Sequence, residues 1–210
     1  MAIGINTPYG ALNALRVATA DATKASERIS SGLRVNSASD DPAGLSLATS
    51  LSTSIGGYSQ LKRNLALTIS DVEQVSDSLT SISSILSSMQ TLADYSRTST
   101  TTSTERAAYQ TAFASYLTDI NTIASGTTIA GSSVLDGSLT SVTVQVGVDT
   151  SDTKALTFFN SSSSGLSISG LRIDSATDAA TAYTTLTTAI DTTTARIATV
   201  GAYESSLGYL

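Results

Sequence analysis

Two adjacent carboxylates, Asp40 and Asp41, are the side chains whose type and spacing could most readily do chemistry. Paired carboxylates can hold a divalent cation or exchange protons with a substrate. Pro42 follows Asp41 directly, and proline suits the first position of a helix because no backbone N–H is needed there. An aspartate just before that position can cap the free N–H groups of the first turn. We therefore interpret Asp41 and Pro42 as a helix cap and predict neither a metal nor a catalytic role for the pair.

The complete absence of histidine and cysteine removes most other kinds of chemical site. It excludes Ser-His-Asp and Cys-His nucleophilic sites, zinc sites built on these residues, haem with a His or Cys ligand, iron–sulfur clusters and disulfides. Histidine is also the side chain that normally titrates near neutral pH, so acid–base catalysis loses its commonest group. An enzyme based on carboxylates would need acids converging in a pocket, whereas Asp and Glu are scattered along this chain. We predict a protein that is not an enzyme and has no cofactor.

The chain is poor in charge, with 13% charged residues against about 25% in a typical domain. Serine and threonine take the place of the missing charged residues. The net charge is −6 and tryptophan is absent, so phosphate is repelled and few rings can stack on bases. We predict no binding of nucleic acid or of anionic membranes. No apolar run approaches the ~20 residues of a membrane span, and residues 1–8 lack the basic start and apolar core of a cleaved secretory signal.

Helical periodicity dominates most of the sequence. Residues 10–31 carry a thin, alanine-rich stripe, which predicts a helix that would be stable only against partner copies. Apolar residues recur at steps of three and four over about 43–96, which predicts a coiled-coil-like helix about 80 Å long. Similar stripes predict helices over 105–124 and 174–210. The stripe of the second helix includes Leu51, Ile55, Tyr58, Leu61 and Leu65.

Residues 132–173 have a different texture, because apolar residues alternate at a period of two between clusters of Gly, Asp and Ser. This pattern predicts short strands and hairpins. The predicted fold class is mostly α, an elongated rod of long coiled-coil-like helices with a small β-hairpin region. The predicted parts are an inner helix with its linking loop at 1–42, a helical rod at 43–131, the hairpin region at 132–173 and a returning helix at 174–210.

One stretch between the first two predicted helices resembles a family signature. It runs Ile29-Ser-Ser-Gly-Leu-Arg-Val-Asn-Ser-Ala-Ser-Asp-Asp-Pro-Ala-Gly44 and is similar to the segment of bacterial flagellin that joins its innermost helix to the long helix after it. Other similar segments follow in chain order, so the resemblance covers the whole chain. They are Met1–Asn6, Leu92-Ala93, Gly131–Gly137, Gln145-Val-Gly147 and Arg196–Ala202.

The resemblance implies a fold and a function. The fold would have terminal helices lining a filament channel, a surrounding tube of helices with a β-hairpin, and little or no outer domain. The function would be that of a structural subunit that self-assembles into the extracellular flagellar filament for motility. The subunit would be exported unfolded through the flagellar secretion channel, without a cleaved signal peptide. Its partners would be further copies in a helical filament, the export apparatus, the filament cap and junction proteins, and a flagellin chaperone or assembly factor.

Two alternatives and one departure accompany this resemblance. A hook–filament junction protein has the same architecture, but that family usually has Gly-Lys-Arg-Ile and Pro-Ser-Asp-Asp where this chain has Gly32-Leu-Arg-Val35 and Ala38-Ser-Asp-Asp41. A generic coiled-coil scaffold would explain the stripes but not the signature. The family's C-terminal helix, which pairs with the segment matching residues 1–31, has no counterpart before Leu210, so we expect the chain to be cut short there.

The signature loop and its flanks are the predicted assembly interface. In the family this loop joins the inner and outer tubes and contacts neighbouring subunits. Arg34 is accordingly an interface cation or a solvated one, and Glu27 and Arg28 are assembly contacts rather than chemical groups. The predicted interface residues are Glu27, Arg28, Ile29, Gly32, Leu33, Arg34, Asn36, Asp40, Asp41 and Pro42.

A second set of positions concerns the innate Toll-like receptor that recognises flagellins. Recognised flagellins carry Gln-Arg-Val-Arg-Glu before the Leu-Ala pair, where this chain has Ser87-Ser-Met-Gln-Thr91. The important Arg falls on Ser88, an important Glu of the next helix falls near Ala112, and Leu92 is retained. Loss of an interface arginine can cost several kcal/mol, so the resemblance implies poor recognition of this chain.

Overall fold

The computed structural model describes residues 6–210, and the similarity seen in residues 1–5 lies outside this range. About two thirds of the chain is helical, which confirms the mostly α class with a small β-hairpin region. The helices are α1 (Asn6–Ser31), α2 (Pro42–Arg97), α3 (Ser103–Gly126) and α4 (Ala176–Gly208). The strands are β1 (Thr128–Ile129), β2 (Ser132–Ser133), β3 (Ser141–Gln145) and β4 (Thr153–Thr157).

Contacts between residues divide the chain into two compact units, the first ending at Gly57 and the second running from Tyr58 to Leu210. In the first unit, α1 is exposed at every position from Pro8 to its end. The first unit is therefore two helical segments joined by a loop, without a buried apolar core among its described residues.

The start of α2 departs from the sequence-based prediction. Leu51 and Ile55 belong to the apolar stripe of this coiled-coil-like helix, a pattern that predicts an intramolecular core along one side, but they are 55% and 66% exposed. The prediction of burial was wrong here because no element among the described residues of the first unit covers this face of the helix. Periodicity identifies a helix face that could be buried, but it does not supply the surface that buries it.

In the second unit, three helices pack along a seam with heptad spacing. The buried residues of α2 recur at alternating steps of three and four from Val72 to Ser96, and those of α4 do the same from Ala179 to Thr193. This spacing keeps one face of each helix toward its neighbours, as in a coiled coil. The third helix contributes Phe113, Ile120 and Ala124.

Two side-chain contacts show the direction of α4 relative to α2. Gln90 Nε2 donates a hydrogen bond to Thr187 Oγ1 at 2.8 Å. Seven residues further along α2, the guanidinium carbon of Arg97 lies 4.3 Å from the ring centroid of Tyr183, which precedes Thr187 on α4. The two helices therefore run antiparallel.

The turn between α2 and α3 is held by capping interactions at both helix ends. Thr102 Oγ1 accepts a hydrogen bond from the Glu105 N–H at 3.3 Å, and the Glu105 carboxylate accepts one from the Thr102 N–H at 2.8 Å. This capping box starts α3 at Ser103, two residues before the predicted start at 105. Arg106 donates to the carbonyls of Ser96, at the end of α2, and of Thr98, in the turn, at 2.8 Å and 3.0 Å, which adds hydrogen bonds to carbonyls at and just after the helix end.

The strands form two separate antiparallel pairs. A two-residue turn with positive φ at both Ala130 and Gly131 joins β1 to β2, as tight hairpins require. In the second pair, Val142 lies opposite Leu156, and Leu156 is fully buried against the helices. The β3–β4 hairpin lies within the region predicted to contain strands, whereas β1 begins before its predicted start at residue 132.

Residues 158–175 contain no strand, although the alternating pattern predicts strands as far as 173. Phe158, Leu166, Ile168 and Ile173 are nevertheless buried. Local hydrogen bonds, such as that from the Ile168 N–H to the Ser163 carbonyl at 2.9 Å, fold this segment into consecutive turns. The strand prediction was wrong here. The apolar residues of this segment pack on the helical core from consecutive turns, and they do not form one face of a sheet.

Candidate assembly surface

The signature loop leaves α1 through a glycine that accepts the left-handed backbone conformation. Gly32 has a φ of +68°, which glycine adopts without strain. Its N–H donates to the Arg28 carbonyl at 3.0 Å, and the Leu33 N–H donates to Ser31 Oγ at 3.2 Å. These bonds satisfy the helix end while the chain turns away from the helix axis.

Asp40 folds the loop back toward the end of α1. Its Oδ2 accepts hydrogen bonds from the Asn36 and Ser37 N–H groups, each at 3.3 Å, and from Ser37 Oγ at 3.2 Å. Arg28 Nη2 lies 3.9 Å from Asp40 Oδ1, and Asn36 Nδ2 donates to the Glu27 carbonyl at 3.1 Å. The Asp40 side chain is only 9% exposed. We call this set of contacts the Asp40 clasp.

The clasp requires a charged carboxylate. The pKa of Asp40 is lowered from its ordinary value, chiefly because the Asn36 N–H donates to the ionised carboxylate. Burial acts in the opposite direction, while the hydrogen bonds from Ser37 and the charge of Arg28 add to the lowering. A lowered pKa in the folded protein means that ionised Asp40 stabilises the loop.

Asp41 has a different role from its neighbour. It directly precedes α2, and its Oδ1 accepts a hydrogen bond from the Gly44 N–H at 2.9 Å. Its own carbonyl accepts from the Leu45 N–H at 3.0 Å, the first bond of the helix. This is the geometry of an N-cap followed by proline at the first helical position. Across residues 6–210, no group of three or more acidic side chains is placed to hold a metal ion.

We expect the Asp40 clasp to open on acidification. Because the folded-state pKa is depressed, the stabilisation is present above the unfolded-state pKa and is lost as the pH falls through the folded-state value. Amide exchange measured by NMR from roughly pH 5 to pH 2 should show protection of the Asn36 and Ser37 amides falling with pH. Asp40→Asn should lower this protection already at neutral pH. Asp41→Asn is the matched control, since asparagine also caps helices well, and equal effects of both substitutions would contradict the clasp.

Several predicted interface residues lie at the surface instead of joining the clasp. Ile29 is 83% exposed and Leu33 is 59% exposed. Arg34 and Pro42 are also exposed. The structure thus brings Glu27, Arg28, Asn36 and Asp40 together through the clasp and leaves Ile29, Leu33 and Arg34 free within this unit to contact another molecule.

A longer apolar surface continues along α1, and we call it the α1 stripe. None of its side chains is covered in the first unit, and Leu12 and Leu15 are 57% and 60% exposed. Contiguous apolar surface that stays uncovered commonly marks a contact site. None of the helices from Asn6 onward is long and apolar enough to cross a membrane. The members of the α1 stripe are Leu12, Leu15, Ala18, Ala22, Ala25 and Ile29.

The positions singled out for receptor contact lie on α2 and α3 of the second unit. Ser88 is exposed and donates its hydroxyl to the Ser84 carbonyl at 3.1 Å. Ala112 is exposed as well, whereas Leu92 is half-buried and packs against the core. The ring centroids of Tyr95 and Tyr109 lie 6.1 Å apart and Arg106 donates to the Ser96 carbonyl, so α3 turns back along the end of α2.

The segment after β4 is held by polar groups that the sequence analysis did not identify. Arg196, the single basic residue of α4, donates from Nη1 to the Asn160 carbonyl at 2.7 Å and to Ser161 Oγ at 2.9 Å. Its guanidinium carbon also lies 5.7 Å from the centroid of the Phe159 ring. Two sequence signals mark this residue: it is an isolated cation on α4, and it opens the segment Arg196–Ala202 that the resemblance includes.

Two amides of α3 hold the same segment at other points. Asn121 Oδ1 accepts from the Ser163 N–H at 2.9 Å, and Gln110 Oε1 accepts from the Ile173 N–H at 2.6 Å. These bonds satisfy backbone donors of a segment that has no strand partner. No sequence signal distinguishes Asn121 or Gln110 from the other polar residues of α3, because the partners are 42 and 63 positions away.

Removing the Arg196 contacts should loosen the segment after β4. Arg196→Met keeps a long apolar stem against Phe159 but leaves the Asn160 carbonyl and the Ser161 hydroxyl without their donor. We expect a loss of about 1.5–3 kcal/mol in the free energy of unfolding, the usual range for hydrogen bonds from a charged group. Urea denaturation followed by circular dichroism measures it. Arg172→Met is the control, because its ion pair with Asp174 is exposed; a loss no larger than in this control would contradict the assignment.

Comparisons with known proteins show which family this chain matches. A family model described as the bacterial flagellin N-terminal helical region matches residues 5–140. The flagellin of Clostridium tyrobutyricum is 36% identical over 184 residues, which are 86% of this chain and 47% of that protein. The B-type flagellin of Pseudomonas aeruginosa is 31% identical over 169 residues, which are 79% of this chain and 35% of that protein. The chain thus spans less than half the length of these two relatives.

A solved structure shows the same fold. The crystal structure of Bacillus cereus flagellin superposes with a TM-score of 0.64 at 27% sequence identity. The superposition covers 70% of this chain and 85% of the other. Sequence and structure therefore point to the same group of proteins.

Proposed function

The chain belongs to the bacterial flagellin family, and from this membership we propose that it is a structural subunit of the flagellar filament. Proteins of this family are structural components of the extracellular filament used for motility rather than enzymes. The observation that carries the proposal for this chain is the uncovered α1 stripe of the first unit, in a chain whose second unit has a well-packed core. A subunit that polymerises needs such a surface, because its contact residues are buried only by other copies.

The composition of the first unit suits assembly. Its apolar side chains are small or thinly spread, so the helix gains little from burial alone and is stabilised by neighbouring helices of other copies. Few charges need to be desolvated when such surfaces meet, which keeps the cost of contact low. Contacts between different surfaces of identical subunits, repeated without closure, produce an open helical polymer.

The proposal includes a route and a set of partners. The subunit would pass unfolded through the flagellar export channel, without a cleaved signal peptide, and order on assembly outside the cell. Its partners would be further copies of itself, the export apparatus, the filament cap and the junction proteins, with a flagellin chaperone or assembly factor before export. The signature loop, from Gly32 to Asp41, would contact neighbouring subunits through Leu33 and Arg34.

Electron microscopy of nucleated assembly tests the filament role. The purified natural gene product is added to short filament fragments as nuclei, and polymer length is followed with time. Filaments that grow in proportion to added protein are the expected result. Growth that stops at short caps or rings would favour the alternative, a hook–filament junction protein of the same architecture. Absence of any addition to the nuclei would contradict both.

We also propose that the innate flagellin receptor recognises this chain poorly. Ser88 and Ala112 present a hydroxyl and a methyl group where the resemblance calls for an arginine and a glutamate, so an ion pair or hydrogen bond across the interface has no partner here. A reporter-cell assay with the monomer should give a weak response, and the pair Ser88→Arg and Ala112→Glu should increase it at least about tenfold, equivalent to 1.4 kcal/mol. Ser81→Arg, on the same helix, is the control. Strong stimulation by the unchanged monomer would contradict the proposal.

A further inference from the structure

Two adjacent glycines lie in the interior of α2, at Gly56 and Gly57. Glycine is the poorest helix former after proline, because its backbone loses the most freedom when it is ordered. A pair of them in the middle of a 56-residue helix is therefore a local weak point. We therefore ask whether the surroundings of these glycines exclude a larger side chain, and we compare them with the remaining glycine of α2.

That other glycine, Gly44, lies directly against the side chain of the helix cap. A Cβ at position 44 would collide with the Asp41 carboxylate that caps the helix. Gly56 has no such neighbour, since a Cβ built there meets nothing within 4 Å. Neither Gly56 nor Gly57 has the positive φ seen at Gly32. Packing at position 56 and backbone conformation at both positions are thus compatible with alanine.

The pair also lies in the part of α2 that precedes its first buried residue. No residue of the helix is buried before Leu65, while the neighbouring apolar side chains Ile55 and Tyr58 are 66% and 60% exposed. The division between the two compact units falls immediately after Gly57.

We infer that Gly56–Gly57 is a bending point built into α2. The helical segment before it changes direction as a body, while the segment after it stays fixed by the packed core of the second unit. Kinks in long helices concentrate at glycine and serine pairs for this reason. The inference concerns the isolated chain and stands whether or not the proposed filament function is correct.

Distance measurements between spin labels test the bending point directly. The chain contains no cysteine, so an introduced pair is the only site of labelling. Ser50→Cys with Ser70→Cys spans the glycines and would be about 30 Å apart in a straight helix, and Ser70→Cys with Ser88→Cys spans about 27 Å within the packed part. All three positions are exposed. The spanning pair should give a distance distribution at least about twice as broad as the control pair, since only the former includes two helix-weakening glycines.

Replacing both glycines by alanine completes the test. Gly56→Ala with Gly57→Ala should narrow the distribution of the spanning pair to the width of the control pair. It should also slow hydrogen exchange of the amides around residue 57 about tenfold, in line with the helix propensities of the two residue types. Thermal unfolding of the second unit should be unchanged.

Two outcomes would overturn the inference. A spanning pair already as narrow as the control pair in the native chain would show that the helix is rigid at the glycines. Exchange of the amides from residue 46 to residue 55 at the rate of an unfolded peptide would show that this segment is not a helical body able to bend.

Discussion

Replacing Phe113 by alanine should remove about 3–5 kcal/mol from the free energy of unfolding, the range found for aromatic truncation in a packed core. Phe113 is the largest of the fully buried side chains and belongs to the core cluster in which α2, α3 and α4 take part. Truncation would leave a cavity that the surrounding helices can only partly fill. Since a domain of ordinary stability has about 5–15 kcal/mol in total, this loss is a large part of the stability, and the variant should unfold at a clearly lower urea concentration than the native chain.

Urea denaturation followed by circular dichroism at neutral pH measures this effect. Ala112→Ser is the matched control, because Ala112 is the adjacent residue on the same helix and is exposed. Surface substitutions of this kind normally change stability by about 0.5 kcal/mol or less. A loss below about 1 kcal/mol in Phe113→Ala, outside the usual range for buried aromatic residues, would mean that α3 does not pack on the other helices as described.

Placing two aspartates on the α1 stripe should abolish nucleated filament growth. Leu12→Asp with Leu15→Asp puts two charges on a surface that the proposed assembly buries, where each would be desolvated without a partner. The unfolding transition of the second unit should stay the same, because α1 lies in the first unit and its side chains are exposed. Loss of growth with unchanged stability would separate assembly from folding.

The same two charges on the opposite side of α1 provide the control. Asn13→Asp with Ala20→Asp adds the same net charge to the chain but leaves the α1 stripe intact, since helical spacing places these residues away from it. Growth of this variant at a rate comparable to the native chain is expected. Equal loss of growth in both variants would attribute the effect to net charge and contradict the specific role of the stripe.

Local features were predictable from the sequence because they depend on residues close together in the chain. The heptad spacing in α2 and the capping geometry of Asp41 and Pro42 involve contacts within a few positions. Whereas α1 begins at Asn6, before its predicted start at residue 10, the boundaries of α2, α3 and α4 follow within about two residues, the usual uncertainty of helix ends. The same is true of the turn through Gly32, where a glycine next to polar residues suits a left-handed position. The candidate assembly loop could be located for this reason, together with its resemblance to a family signature.

Contacts between distant positions were decided only by the tertiary structure. Arg196 holds Asn160 and Ser161 across 35 or 36 positions, and Gln110 satisfies Ile173 across 63. Residues 158–175 alternate like a strand, yet they form turns. Their apolar side chains are buried because the helices supply a surface on which these side chains pack. Leu51 and Ile55 continue the spacing of a buried stripe, yet they stay exposed because no described residue of their own unit covers them. Sequence determines which surfaces a helix could bury, and the availability of a partner surface determines which of them it does.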